Sequence, residues 1–514
     1  MSVLQTRSHE LMSSARMALL ASAGVLLAAG VALSPAAAQQ SVKIGINNLP
    51  ATRGDPTTSL TYQFLYVWQA MLNSLTLVNE AGKATPALAE SWRNVSPTQW
   101  QFKLRPGVAF HNGEALTADA IVQAIEVMIS DEGKAKSGPV FGTLRAISGA
   151  RKVDDLTVEV TTATPAPILP NEIAALKIAA PKAWASLGRE GFSRNPAGTG
   201  PFQQVVWDDN KVALKRAETS WRKAKLDTID ILFLPELASR EQAFTSGQID
   251  LAWSLAPDSK EKVERAGGKL LVVPTPSINA LLFHAQKPGP TADKRVRQAL
   301  NHALDKSYAE TLLRGLTTSA SQPAGKTVRG FQPDIKPYAY DPAKAKALLA
   351  EAGVANGFSG LAEITLVGSK DIFEKIASDF GKVGVNVEMR IITLPDLLAR
   401  RDGRKEFDGA LFNYNFGAQP SGDMMRSINS FHSCSFPRKW TCFPEIEPTI
   451  AAVNAEFDDK KRDEGLRKIA QYYHENAPAV WMEEQIELDG LSNKIRNYKN
   501  VNWVINFTEF DIAR

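Results

Sequence analysis

Between Glu363 and Tyr414 the hydrophobic period switches from two to that of a helix and back to two, and this alternation constrains the fold more than any other feature of the chain. Residues 363–368 alternate as a strand, 371–380 carry helical spacing closed by Gly381, and Val385, Val387, Met389 and Ile391 alternate again. A strand, a helix and a second strand in this order form a βαβ unit, which requires a sheet covered by helices. A helix from about Pro395 and a strand over 409–414 extend it. Elsewhere the stop signals agree. Asp341 caps, Pro342 opens and Gly353 closes a helix over 343–352, and a helix over 239–246 ends at Gly247 before a strand over 249–253. The chain is therefore α/β.

The N-terminus is of another kind. Arg7 and Arg16 precede an apolar run over 17–33, which gives way to Ser34-Pro35-Ala36-Ala37-Ala38. A basic region, a hydrophobic segment and a small-residue site in that order predict a secretory signal over residues 1–38, cleaved after Ala38. The run is short of the roughly 20 residues a spanning helix needs. The first cysteine is Cys434, so lipid modification at the cleavage site is not expected. The chain has 59 basic and 55 acidic residues, of which Arg7, Arg16 and Glu10 lie in the signal, leaving a formal charge of +3 beyond it. Such a near-neutral chain, without a basic block, argues against a nucleic-acid partner. Roughly 475 residues exceed what one hydrophobic core organises, so at least two lobes are expected.

Enzyme signatures are absent in context. The stretch Ala320-Ser-Gln-Pro-Ala-Gly-Lys-Thr327 fits a relaxed phosphate-loop pattern. A working phosphate loop follows a strand and opens a helix, whereas here a helix over about 292–314 is expected before it and Arg329-Gly330-Phe331-Gln332-Pro333 after it. No nucleophile elbow occurs, and His474-Glu475-Asn476-Ala477-Pro478 breaks the zinc-protease pattern where its second histidine belongs. No catalytic residue, cofactor or metal is expected. Cys434 and Cys442, the only cysteines, are expected to form a disulfide in an exported protein; the rival reading, a metal or redox pair, lacks the CxxC spacing and the further ligands.

Residues 86–121 read PALAESWRNVSPTQWQFKLRPGVAFHNGEALTADAI. Trp100, Phe102 and Leu104 alternate with polar residues, Arg105-Pro106-Gly107 turns the chain, and Thr117 caps a helix from Ala118. This wording resembles the signature of the peptide- and nickel-binding class of periplasmic solute-binding proteins that feed ABC transporters. The segments NPAGTGPF (195–202), RVRQALNHALDK (295–306) and YDPAKAKALLAEAG (340–353) resemble it too, so the likeness runs from about residue 42 to the end. The resemblance implies a two-lobed periplasmic-binding-protein fold, class II-like, with an extra subdomain in the first lobe. Residues 39–273 plus 487–514 would form the first lobe and 274–486 the second. It also implies a short disulfide loop near Cys434 and Cys442, an inner-membrane ABC permease as partner, and no reaction to catalyse. A monomer is expected. The alternative classes are a secreted hydrolase or a chaperone-like peptide holder.

In open α/β sheets ligands bind beyond the carboxyl ends of strands. The strand ends nominate Asn413, Tyr414, Asn415 and Phe416, then Trp253 and Ser254, and, more weakly, Asn47 and Asn48. Phe283 and His284 stand where the family reads Phe-Asn, near the crossover between lobes. Core packing is the competing role for each aromatic. Peptide binders of the class show a Trp followed by Gly-Asp-Xaa-Xaa-Asp-Pro, in which an aspartate holds the ligand's α-ammonium. Here the segment is Asn415-Phe416-Gly417-Ala418-Gln419-Pro420, without either acid, and Asp423 could substitute only along a re-routed loop. The expected ligand is a small organic solute, an opine, a sugar or a modified amino acid as readily as a peptide.

Overall fold

The computed structural model describes residues 40–58, 62–136, 138–365, 370–401, 403–436 and 438–513. The signal segment and its cleavage point lie outside the described residues, as does the end of the strand expected over 363–368. Ten strands form one continuous mixed sheet, and its two halves are joined by two long antiparallel neighbours, Lys269–Phe283 and Ala479–Leu491. On one side lie Leu411–Gly417, Phe358–Ile364 and Val385–Ile391, the last two parallel as the βαβ pattern requires. On the other lie Leu251–Ala252, Ser41–Ile46, Thr228–Phe233, Lys211–Arg216 and Phe202–Trp207.

The apolar side chains segregate accordingly. One large core draws on residues from Val42 to Trp253 and from Leu491 to Phe510, while two others draw only on residues between Ile278 and Met482. The ladder between the two long strands is regular from Lys269↔Leu491 to Pro274↔Ile486, then slips before Ile278↔Glu484. A proline without an amide hydrogen at this point accounts for part of the irregularity. A separate four-stranded sheet contains Ala89–Ser96 and Gln99–Leu104, followed in the chain by the helix Ala118–Ile129. Phe102 and Leu104 are fully buried and Trp100 nearly so. Cys434 and Cys442 are joined by a disulfide.

Some expected boundaries move. The first strand of the βαβ unit is Phe358–Ile364 rather than one beginning at Glu363, because Glu363 is an interior charge paired with Arg390 and Arg400 and so sits within the strand. The helix Lys294–Ala303 stops short of the expected 292–314: Leu304 turns extended, and only a short turn over Tyr308–Thr311 follows. Thr117 stands at the helix start, but its hydroxyl donates to Asp119 and makes no capping bond. Asp341 does cap, accepting from the Lys344 amide at 2.9 Å.

One buried acid gives the fold a pH dependence. Asp489, on the second long strand, is fully buried, and burial pushes its carboxyl up to about 7. A folded-state value above the unfolded one means that its contribution is fully present below about 4 and is lost as pH rises through about 7. Between pH 5 and 8 the native protein is expected to lose about 2–3 kcal/mol more unfolding free energy than Asp489→Asn. Urea unfolding at the two pH values checks this, and equal losses would contradict it.

Candidate ligand-binding cleft

Beside Pro276 on the first long strand, a small cavity is lined by residues from three segments far apart in the chain, together with Leu65 and Gln69 of the helix Tyr62–Met71 and Leu77 and Val78 of the strand Thr76–Val78. The first is the hairpin of Asn500–Val501 and Val504–Ile505, whose two-residue turn holds Asn502 at φ 49° and Trp503 at φ 64°. Positive φ at both turn residues suits a tight hairpin but is strained for non-glycine residues. Gln69, on the helix Tyr62–Met71, holds the turn in place: its Nε2 donates to the Trp503 carbonyl at 2.9 Å and its Oε1 accepts from the Ile505 amide at 3.0 Å. The second element is the segment around Lys177, bridged to Ser74. The third is the loop after Leu411–Gly417, with Gln419, Pro420 and Gly422, anchored where the Ala418 amide donates to the Pro276 carbonyl at 2.7 Å. Pro276 lies in the irregular stretch of the first long strand, so the cavity sits beside the point where the two halves join.

The cavity measures about 30 Å³, room for about two water molecules. Its apolar wall includes Leu65, Leu77, Val78 and Ala174, and its polar groups include Lys177, Gln419 and Asn502. Both side-chain polar atoms of Asn502, and Oε1 of Gln419, are buried without a hydrogen-bond partner. Buried polar atoms without partners are uncommon and need a reason. Lys177 is the only charged residue among the described residues lining the cavity, and burial pushes its ammonium down to about 8.

Around the cavity the two halves touch directly. Asn171 Nδ2 donates to the carbonyl of Ser421 in the other half and to that of Gly82 in its own, both at 2.7 Å, and Arg145 donates to the Asn429 carbonyl across the contact at 3.0 Å. Gly82 and Gly422 both have positive φ, and a Cβ on Gly82 would fall 2.8 Å from the Gly422 carbonyl oxygen, so only glycine lets these backbones approach so closely. Glu172 lies near Asp423, Arg462, Arg145 and Arg426; burial, reinforced by Asp423, pushes its carboxyl up to about 8.

None of the residues nominated from strand ends is among the described residues that line this cavity. Trp253 is fully buried in the first core, its indole donating to the Tyr498 hydroxyl at 2.9 Å. Ser254 adopts φ 58° and contacts Glu487 at 3.5 Å. Phe283 is buried with Val296 and Leu411, and His284 sits beyond it, where burial lowers its pKa. Asn413 is satisfied by Thr365, whose amide donates to its Oδ1 at 2.7 Å. Tyr414 packs against Phe431 and Trp440, while Phe416 stacks on His432 with ring centroids 3.9 Å apart. The Asn415 carbonyl faces His432, Asn47 has a buried unpartnered Oδ1, and Asn48 is exposed. Asp423 is committed to Arg462 at 2.6 Å, with both side chains almost wholly buried, and it also accepts from the Met425 amide.

Lys177, Asn502 and Trp503 escaped the sequence reading. Asn502-Trp503 lacks the glycine that marks a tight hairpin, and Lys177 stands in a short irregular segment without periodicity. Among the described residues no group of three or more His, Cys, Asp or Glu could hold a metal ion, and no helix is long and apolar enough to cross a membrane.

Two α/β halves joined by two long strands meet over a small, mostly apolar cavity, and this is a two-lobed fold. The chain belongs to the bacterial extracellular solute-binding proteins, family 5, whose middle region matches residues 83–435. It is 26% identical over 451 residues to the dipeptide-binding protein of Escherichia coli K12, covering 80% of this chain and 83% of that protein. It is 28% identical over 418 residues to the glutathione-binding protein GsiB of Pectobacterium atrosepticum, covering 77% and 79%. In fold it is similar to the periplasmic binding protein DppA of Helicobacter pylori, solved with the peptide STSA, at a TM-score of 0.80 and 21% identity, over 93% of this chain and 99% of that one. The protein is thus a solute-binding receptor of the ABC-transporter type.

Proposed function

We propose that this receptor binds a small organic solute in the cavity bounded by Lys177, Gln419 and Asn502, and that it presents the closed form to an inner-membrane permease. The observation that carries the reading is the pair of buried carboxamides with unpartnered atoms at a place where the two halves of the molecule touch. The lobes are 39–273 plus 487–514 and 274–486, joined by the two long strands, with the irregular stretch from Pro274 to Ile278 as the point of bending. Two waters' worth of space does not admit a solute, so entry requires the lobes to part. The mature chain begins at Gln39, works as a monomer, and catalyses nothing.

Peptides with a free N-terminus are poor ligands in this account. Their ammonium would meet no carboxylate of the described residues, since none of those lining the cavity is acidic and Asp423 is held by Arg462. This sets the protein apart from relatives named for dipeptides.

Closure is testable without knowing the ligand. Asn171→Ala removes the hydrogen bond to Ser421 that crosses the cleft, together with the bond to Gly82 within its own lobe. The variant is expected to sample a more open form, with a larger radius of gyration in solution scattering. It should also bind any stabilising solute about tenfold more weakly, the equivalent of about 1.4 kcal/mol of closure. An unchanged radius together with unchanged affinity would contradict lobe closure at this contact.

A further inference from the structure

The cleft contains a buried cation with no anion of its own. Lys177 is 7% exposed, and its ammonium has only the Ser74 hydroxyl and the Ala174 carbonyl, each at 3.3 Å. No carboxylate among the described residues pairs with it, and burial lowers the pKa of its ammonium. An ammonium without a counter-ion is costly to bury, and the cost is offset when an anion arrives. Nearby in the same cavity, Asn502 is 9% exposed with both polar atoms unpartnered, and Gln419 Oε1 is likewise unpartnered. These groups can supply the two N–H donors of the Asn502 amide and two carbonyl acceptors. Among the described residues that line the cavity, none could neutralise a cation.

Resting on the binding reading above, we infer that the cleft selects solutes carrying a carboxylate, together with neutral hydroxyl or amide donors and no cationic group. The carboxylate accepts from Lys177 Nζ, and the neutral donors bond to the Asn502 and Gln419 oxygens. The donor set fits a single acid on one end of the solute, and a charge-assisted bond of this kind fixes orientation as well as affinity.

The test varies one charge at a time on fixed skeletons, using thermal shift and calorimetry on the full-length processed protein. The probes are Ala-Leu, N-acetyl-Ala-Leu, Ala-Leu amide and N-acetyl-Ala-Leu amide, with gluconate against glucose as a second, non-peptide skeleton. At least one acid lacking a cation, N-acetyl-Ala-Leu or gluconate, is expected to raise the melting temperature and to bind at least tenfold more tightly than its neutral partner. Whichever does so identifies the skeleton as peptide-like or sugar-like. Lys177→Met is expected to lose that preference while melting no lower than the native protein without ligand, because a buried charge is removed. The acid-to-neutral comparison in the native protein stands even if the variant folds poorly. Equal binding of acid and neutral partner, preference for Ala-Leu amide, or undiminished acid binding by Lys177→Met would overturn the assignment and leave solute binding at this cavity intact. A complete absence of shifts with every probe would overturn both.

Discussion

Trp253→Ala is expected to cost about 3–5 kcal/mol of unfolding free energy, the range for deleting a large aromatic from a packed core. The side chain is fully buried, its ring centroid 4.7 Å from that of Tyr66. It also begins a hydrogen-bond chain: the indole donates to Tyr498, Tyr498 donates to Asp489 at 2.8 Å, and Asn500 Nδ2 reaches both Asp489 and Tyr66. Alanine leaves a cavity and removes one donor from this buried network, two losses that reinforce each other. Trp253→Phe keeps most of the volume and should cost much less than alanine. Because Asn500 opens the hairpin that carries Asn502, ligand affinity should also fall in the alanine variant. Urea unfolding measures the first effect; a loss below about 1 kcal/mol would mean that Trp253 is not a core residue.

Arg462→Ala is expected to be comparably damaging, at about 3–5 kcal/mol, because it leaves Asp423 buried without its counter-charge. The pair is 2.6 Å apart with side chains 2% and 1% exposed, and Glu172 lies close enough for Asp423 to raise its pKa. Removing both charges, Asp423→Leu with Arg462→Met, should restore much of the loss, since a buried pair replaced by apolar groups of similar size is often nearly neutral. A double-mutant cycle separates the coupling from the two single effects. If the double variant is as unstable as the sum of the singles, Asp423 is not held by Arg462, and its availability to a ligand's ammonium is reopened.

The fold was legible because its signals are local. The helix at Pro342–Glu351 carries its cap, its proline and its closing glycine within the sequence, and the strand Val385–Ile391 alternates as written. The strand Phe358–Ile364 was displaced because a buried glutamate, neutralised by Arg390 and Arg400 from elsewhere in the chain, cannot be told from a surface one by periodicity. The cleft was less legible for the same kind of reason. The rule that ligands lie beyond strand ends led to the neighbourhood of Gln419 and Pro420 through the segment 413–417. It also selected Trp253 and Phe283, whose large rings fill cores instead. Lys177 and Asn502 stand out by what they lack among the described residues, a counter-ion in one case and hydrogen-bond partners in the other. Only the packed fold reveals such absences, since they depend on contacts between residues hundreds of positions apart.

A crystal structure of the protein with the solute that most raises its melting temperature tests the account most directly. The solute is expected between the lobes, in contact with Lys177, Gln419 and Asn502, with no Asp or Glu side chain bonded to it and with Asp423 still paired to Arg462. A solute bound outside this cleft, or one whose cationic group is held by Asp423, would contradict the account.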